Sequence, residues 1–77
     1  MDAPSWFAGD IIYPANEPQR EALRHAQRVL RLDETGDMND MTRAALRGFQ
    51  GLFALRISGM LDLPTAIKLE QIRSQYS

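Results

Sequence analysis

Apolar residues recur in three stretches of the chain with the spacing of amphipathic helices. Within each stretch they lie three or four residues apart, which places them on one face of an α-helix. The positions are Ala22, Leu23, Ala26, Val29 and Leu30, then Ala45, Leu46, Phe49, Leu52 and Phe53, then Ala66, Leu69 and Ile72. The pattern predicts helices over residues 17–32, 40–54 and 63–75.

A helix-start signal precedes each stretch at an interval of 23 residues. Asn16, Asn39 and Asp62 each carry a short side-chain oxygen that can accept the free amide hydrogens of a first turn. Each is followed seven residues later by Leu, and the last two lie in the matching phrases TGDMNDMTRAAL and SGMLDLPTAIKL. The repetition predicts an N-cap at each of these three residues.

The second predicted helix contains two glycines. Gly48 and Gly51 each weaken it by up to about 1 kcal/mol relative to Ala, and we expect the close approach of a neighbouring helix as compensation. The link that follows is short. Its apolar residues can cover one end of the core: Leu55, Ile57, Met60 and Leu61.

The first sixteen residues break the helical pattern. They hold half of the six aromatic residues and lack a helical stripe; their large apolar residues are Trp6, Phe7, Ile11, Ile12 and Tyr13. We divide the chain into an extended N-terminal arm, residues 1–16, and a helical domain, residues 17–77. Two hypotheses for the arm stay open: it folds back onto its own helices, or it docks into another protein, as exposed apolar patches often do.

Composition argues against catalysis and against a metal or cofactor site. The chain of 77 residues makes one domain at most, and without cysteine it can form neither a disulfide nor a thiolate metal site. His25 is the single histidine, and the acidic residues of 33–40 lack the spacing of a calcium loop. We therefore predict a protein that is not an enzyme and binds no metal and no cofactor.

Charge and hydropathy limit the choice of partners. Nine basic residues nearly balance ten acidic ones. Arg20, Arg24 and Arg28 form a stripe at i, i+4 and i+8, but Glu17 and Glu21 can pair with it. We predict a solvated, partly paired face and no nucleic-acid partner; a protein-contact face and a face that binds the phosphates of DNA or RNA are the alternatives. No apolar run reaches transmembrane length and no signal peptide is evident, so we expect synthesis in the cytoplasm and no membrane partner.

Three segments together resemble the peptidoglycan-binding domain family, small three-helix modules often attached to cell-wall hydrolases. They are LRHAQRVLRL, TGDMNDMTRAALRGFQ and SGMLDLPTAIKL, and the similarity runs from about residue 19 to 73. The matching positions are Leu23, Gln27 and Leu30, then Gly36, Met38, Asn39 and Thr42, then Phe49 and Gln50, and finally Gly59, Asp62 and Thr65. The chain departs from the family at Thr35 and Ser58, where Asp is common, and at Met38 and Leu61, where an aromatic is common.

The resemblance implies an all-α, three-helix peptidoglycan-binding-domain-like bundle with an N-terminal arm. It also implies peptidoglycan as a ligand, for which the candidate residues are Asn39, Arg47, Gln50 and Arg56. For Gln27 and Gln50, which occupy equivalent repeat positions, hydrogen bonding to the linking loops is the alternative.

Two functions follow from the sequence. The organisation of the chain favours a non-catalytic structural or adaptor subunit of a larger assembly, such as a bacteriophage virion. Its partners would be proteins, and the residues of the arm (Trp6, Phe7, Ile11, Ile12 and Tyr13) would dock them. The alternative is a module that binds peptidoglycan in the cell wall.

Overall fold

The computed structural model describes residues 3–7, 11–12 and 16–76, and these residues contain three helices. They are α1 (Glu17–Val29), α2 (Asp40–Leu52) and α3 (Leu63–Tyr76). The predicted all-α class is confirmed, and the predicted ends of the helices lie within three residues of those observed. Two-residue strands, β1 (Ile11–Ile12) and β2 (Leu61–Asp62), pair antiparallel, with Ile12 opposite Leu61. This pairing ties the N-terminal segment to the start of α3.

The three predicted N-caps are confirmed. The side-chain oxygens of Asn16, Asn39 and Asp62 accept the backbone N–H three residues later, at 3.1, 2.9 and 3.2 Å. Each bond satisfies one of the amide donors that a helix start leaves without an intrahelical partner. The sequence therefore sets each helix start by local chemistry.

The first two helices also end in the same way. Arg31 and Ala54 follow them with left-handed backbone, at φ 62° and 57°. The next residue's N–H then donates to the carbonyl five positions back, that of Gln27 or Gln50, at 2.8 Å in both cases. This is the Schellman arrangement, in which the left-handed position is usually Gly.

The equivalent leucines of the three repeats meet in the core. Leu23, Leu46 and Leu69 have no exposed surface. Around them lie further buried apolar residues of the described chain: Phe7, Ala22, Ala26, Leu61 and Ala66. The 23-residue repeat therefore places one leucine of each helix at the centre of the bundle.

The predicted core face of α2 was wrong at its end. Leu52 is 76% exposed. It follows buried Leu46 by six residues, and six steps of about 100° around the helix axis place the two side chains on different sides of the helix. Phe49 is half-buried and packs against Phe53, with ring centroids 4.8 Å apart. Ile57 is 61% exposed and does not cover the core.

The expected compensation for the two glycines of α2 is also absent from the described part of the chain. A Cβ placed on Gly48 would meet nothing within 4 Å, and one on Gly51 would meet only Ile57 Cδ1, at 3.7 Å. Gly48 therefore leaves bare helix backbone on the surface.

Candidate functional site

Trp6 and Phe7 pack against the chain's own helices. Trp6 Nε1 donates to Glu70 Oε2 at 2.8 Å, and its indole ring lies 4.6 Å from the His25 ring. Phe7 is only 7% exposed, within the core. For these two residues the structure contradicts the prediction of free docking side chains and agrees with the folded-back alternative. Tyr13 and the side chains of Ile11 and Ile12 lie outside what the structure describes.

A charged cluster holds Trp6 in place. Arg73 donates to Glu70 and, with the indole N–H, lowers the pKa of Glu70 to about 2. His25 Nε2 lies 3.9 Å from Glu70 Oε2 and lacks a hydrogen-bond partner among the described residues. Burial lowers the pKa of His25 from its ordinary value. Beside the cluster lies a surface pocket of about 260 Å³, lined by Trp6, Pro18, Glu21, Ala22, His25 and Arg28.

Gln27 holds the loop between α1 and α2. Its Nε2 donates to Thr35 Oγ1, the Asp37 carbonyl and Thr42 Oγ1, at 3.1, 3.1 and 2.9 Å. Its Oε1 accepts the Gly36 N–H at 3.0 Å. Because the side chain has no exposed surface, these bonds replace the water that a buried amide has lost.

Gln50 repeats this arrangement between α2 and α3. Its Nε2 donates to Ser58 Oγ, the Met60 carbonyl and Thr65 Oγ1, at 3.1, 3.0 and 2.9 Å, and its Oε1 accepts the Gly59 N–H at 3.0 Å. The side chain has no exposed surface. The prediction that Gln50 contacts a ligand is therefore wrong, and the loop-bonding alternative is confirmed for both glutamines.

An arginine lies over the left-handed glycine of each loop. A Cβ on Gly36 would meet Arg24 Cγ at 3.4 Å, and one on Gly59 would meet Arg47 Cγ at the same distance. Arg24 is ion-paired with Glu17 and Glu21. Arg47 has no acidic partner among the described residues, so the first arginine is neutralised and the second keeps a free charge.

Of the remaining candidate ligand residues, Asn39 lines a pocket that Arg47 and Arg56 do not line. Asn39 Oδ1 is engaged as the α2 cap. The Asn39 side chain also lines a pocket of about 210 Å³, together with Leu32, Asp33, Thr35, Met41 and Thr42. Arg47 and Arg56 are exposed and line neither this pocket nor the one beside Trp6.

The surface of α2 that faces away from the core is largely apolar, and we call Met41, Ala45, Gly48 and Leu52 its outer stripe. These residues lie at i, i+4, i+7 and i+11, on one side of the helix. Of the eight exposed residues of α2, five are apolar or lack a side chain: Met41, Ala44, Gly48, Gly51 and Leu52. Exposed α1 positions instead carry Glu17, Pro18, Glu21 and Arg28. A soluble helix normally turns charged residues outward, so α2 stands apart from α1.

Unpaired positive charge lies on α2 and on the loop that follows it. Between Asp40 and Asp62 the chain carries three arginines and no acidic residue. Outside this segment several of the described acidic residues are paired with arginines, as in Arg20–Asp37, Arg28–Glu34 and Arg73–Glu70. The predicted partly paired face of α1 is thereby confirmed. The sequence interpretation missed the outer stripe because it assigned Leu52 to the core.

Comparison of the chain with protein-family models, with curated proteins and with solved structures found no match. Among the helices that the structure describes, none is both long and apolar enough to cross a membrane.

Proposed function

We propose that this chain is a non-catalytic interaction module, a small structural or adaptor subunit of a larger assembly such as a bacteriophage virion. We further propose that it is built on a peptidoglycan-binding-like fold. The ordered motifs of the resemblance support the fold, together with the two loops that are bonded in the same way to Gln27 and Gln50. Arg47 and Arg56 then serve a protein partner rather than a glycan.

One observation carries the proposal: the exposed apolar surface at the end of α2. Leu52 and Ile57 are 76% and 61% exposed, and Ile57 Cδ1 lies 3.7 Å from the Cβ position of Gly51, the residue beside Leu52. Exposed side chains that cluster on a small domain mark contact surfaces. Burial of a side chain of this kind contributes about 1.5–3 kcal/mol.

The test is capture of a defined protein partner and its reconstitution. The tagged chain is incubated with lysate of its source cell, and the bound protein is identified, purified and titrated against the chain. We expect a saturable complex that is lost in the Leu52→Arg, Ile57→Arg double variant. Both positions are exposed, so this variant should keep the wild-type melting temperature.

The matched control is Ser74→Arg together with Gln75→Arg, which adds the same charge at exposed positions of α3. It should bind like the wild type. A complex that survives the α2 double variant, or one that both double variants weaken equally, contradicts the proposal.

Peptidoglycan binding remains the second candidate, and the pocket beside Trp6 favours it. An aromatic ring next to a carboxylate and a guanidinium, here Trp6, Glu21 and Arg28, is a combination that can stack on a sugar and hydrogen-bond its hydroxyls. The test is sedimentation with insoluble peptidoglycan. Arg28→Gln should release the chain from the pellet if this pocket binds, whereas the α2 double variant should have no effect.

A further inference from the structure

We infer that copies of this chain associate head to tail, with the surface at the end of α2 of one copy seated on a pocket at the start of α2 of the next. This rests on the proposed function and names a second copy as the partner. The two surfaces lie at opposite ends of a helix of 13 residues, about 20 Å apart along its axis. A contact between two different surfaces repeats from copy to copy, so it builds a ring or a filament.

The end of α2 and the loop after it present a projection that we call the α2 knob: Leu52, Arg56 and Ile57. Leu52 and Ile57 are mostly exposed, and Ile57 lies over the Cβ position of Gly51, beside Leu52. Arg56 directly precedes Ile57 in the chain. It is exposed and has no ion pair among the described residues. The knob therefore joins apolar side chains to an unpaired positive charge.

The start of α2 borders the pocket of about 210 Å³ described above, which we call the first-loop pocket. Half-buried Leu32 and the side chain of Met41, 68% exposed, give it apolar lining. Asp33 is exposed at its edge and has no ion pair among the described residues. Glu34 and Asp37 of the same loop are each bound by an arginine of α1. The pocket is therefore an apolar recess with an unpaired negative charge at its edge.

The knob and the pocket complement each other in shape and in charge. The pocket has room for the four-carbon side chain of Ile57, and Arg56 beside it carries the charge opposite to that of Asp33. Among the described residues, the large apolar side chains left exposed are those of Met41, Leu52 and Ile57. This contact covers all three. Complementary charge fixes the register of such a contact and suppresses wrong partners.

The 23-residue repeat gives the two ends of α2 the same backbone framework and opposite charges. Asp33 and Arg56 occupy equivalent positions, 23 residues apart, in loops that Gln27 and Gln50 hold by equivalent hydrogen bonds. Neither charged side chain takes part in the bonds that hold its loop. The opposite charges are therefore not required by the fold of either loop, and a contact between copies gives them a role.

Sedimentation equilibrium of the full chain measures this association. We expect a Kd on the order of 500 μM, as for a small, transient interface. At about 1 mM chain the average mass should pass that of a dimer, because each pair still offers a free knob and a free pocket. At about 10 μM the chain should be monomeric.

Exchange of the two charges tests whether Asp33 and Arg56 face each other across the contact. Asp33→Arg and Arg56→Asp each bring like charges together and should weaken association about fivefold or more. The double variant restores opposite charges, as does an equimolar mixture of the two single variants. Both should associate within about twofold of the wild type. Because Asp33 and Arg56 form no ion pair within one chain, this restoration requires contact between copies.

The apolar part of the contact is tested by Ile57→Gln in the knob and Met41→Gln at the pocket. Each should weaken association about fivefold, because it removes apolar surface from the contact. Both positions are exposed, so the melting temperature should stay near that of the wild type. The charge controls are Ser74→Arg with Gln75→Arg, and Ser74→Asp with Gln75→Asp, at exposed positions of α3. They match the charge changes of the two single variants and should associate like the wild type.

Several outcomes would overturn the inference. They are a chain that stays monomeric at about 1 mM, a mass that stops at that of a dimer, single charge variants that associate like their controls, and a double variant that is not restored. Self-association that survives in the Leu52→Arg, Ile57→Arg variant also contradicts the contact. If a captured protein partner is lost with that variant while the chain itself stays monomeric, the proposed function stands and this inference fails.

Discussion

At the scale of single residues, two buried glutamines convert a repeated sequence into a repeated structure. Each makes three hydrogen bonds to one loop and a fourth to a threonine in the first turn of the next helix, and corresponding distances differ by no more than 0.1 Å between Gln27 and Gln50. An amide side chain carries a carbonyl oxygen that accepts from the loop glycine and an NH₂ group that donates to the loop oxygens. The same residue type therefore occurs at both positions for a geometric reason.

Gln50→Ala should destabilise the domain by about 3 kcal/mol. The Gly59 N–H would lose its buried partner, at about 1–3 kcal/mol for an unsatisfied group, the bonds that Gln50 donates would also be lost, and a cavity would remain. Gln27→Ala should have a similar effect, since its bonds are equivalent. Urea denaturation measures the free energy of unfolding of both variants. The control is Gln75→Ala at an exposed position, which should stay within about 0.5 kcal/mol of the wild type. A Gln50→Ala protein as stable as this control would show that the loop does not depend on the side chain.

At the scale of elements, the ends of α1 and α2 are less favourable than their starts. The caps Asn16 and Asn39 are among the best residues for a helix start. The left-handed positions hold Arg31 and Ala54, although a left-handed residue with a Cβ costs roughly 1–2 kcal/mol. The chain has thus kept two strained helix ends that Gly would relieve.

Ala54→Gly should stabilise the domain by about 0.5–1 kcal/mol, and Arg31→Gly by a similar amount. The relief of the left-handed strain exceeds the added flexibility of the unfolded chain. The control is Ala44→Gly, the same chemical change at an exposed position inside α2, which should destabilise by about 0.5–1 kcal/mol. Thermal melting of the three variants tests this prediction. The melting temperature should rise for Ala54→Gly and Arg31→Gly and fall for Ala44→Gly. Destabilisation by Ala54→Gly would contradict the left-handed assignment.

Helix starts could be read from the sequence because the capping bond joins residues only three positions apart. The rotation of α2 could not, since it depends on which face meets the other helices. Phe49 and Leu52 share the apolar spacing of Leu46, yet only Leu46 is fully buried. Of the candidate ligand residues, Gln50 was misassigned because sequence alone does not tell a buried amide from an exposed one. The outer stripe escaped notice because the unknown rotation of α2 allowed Leu52 to be assigned to the core face.

At the scale of the whole molecule, the N-terminal segment contributes to the core. Phe7 lies in the buried cluster, and Trp6 joins α1 and α3 through His25 and Glu70. A domain of 77 residues buries only about 60% of its unfolded surface. One additional aromatic residue is therefore a large share of its core.

Phe7→Ala should destabilise the protein by about 3–5 kcal/mol, as truncation of a buried aromatic usually does. Total stabilities of small domains are about 5–15 kcal/mol, so a large loss of folded protein is expected at room temperature. The control is exposed Ser5→Ala in the same segment. Circular dichroism melts compare the two. A Phe7→Ala protein that melts like Ser5→Ala would mean that the segment is free, and the docking hypothesis for the arm would return.

The cluster that holds Trp6 should also give the stability of the protein a defined pH dependence. Burial lowers the pKa of His25 below its ordinary 6.5 in the folded protein, against the opposing charge of Glu70 and with the help of Arg73 and Arg28. The unfolded chain then binds the proton more tightly than the folded one. The contribution of His25 to the free energy of unfolding is therefore complete above about pH 6.5 and is lost as the pH falls below that value.

Glu70 causes a second loss of folding stability, at lower pH. Its pKa is about 2 in the folded protein and 4.5 ordinarily, so its contribution is present above about pH 4.5 and declines as the pH falls toward 2. Melting temperatures from about pH 8 to pH 3 should therefore fall in two stages. His25→Phe keeps a ring against Trp6 but cannot titrate, and it should remove the upper stage alone. Glu70→Gln should reduce the lower stage, because Glu34, whose pKa is also lowered, still contributes there. A wild-type melting temperature that rises between about pH 7 and pH 5 would show that His25 is charged in the fold and that Trp6 is held by a different contact.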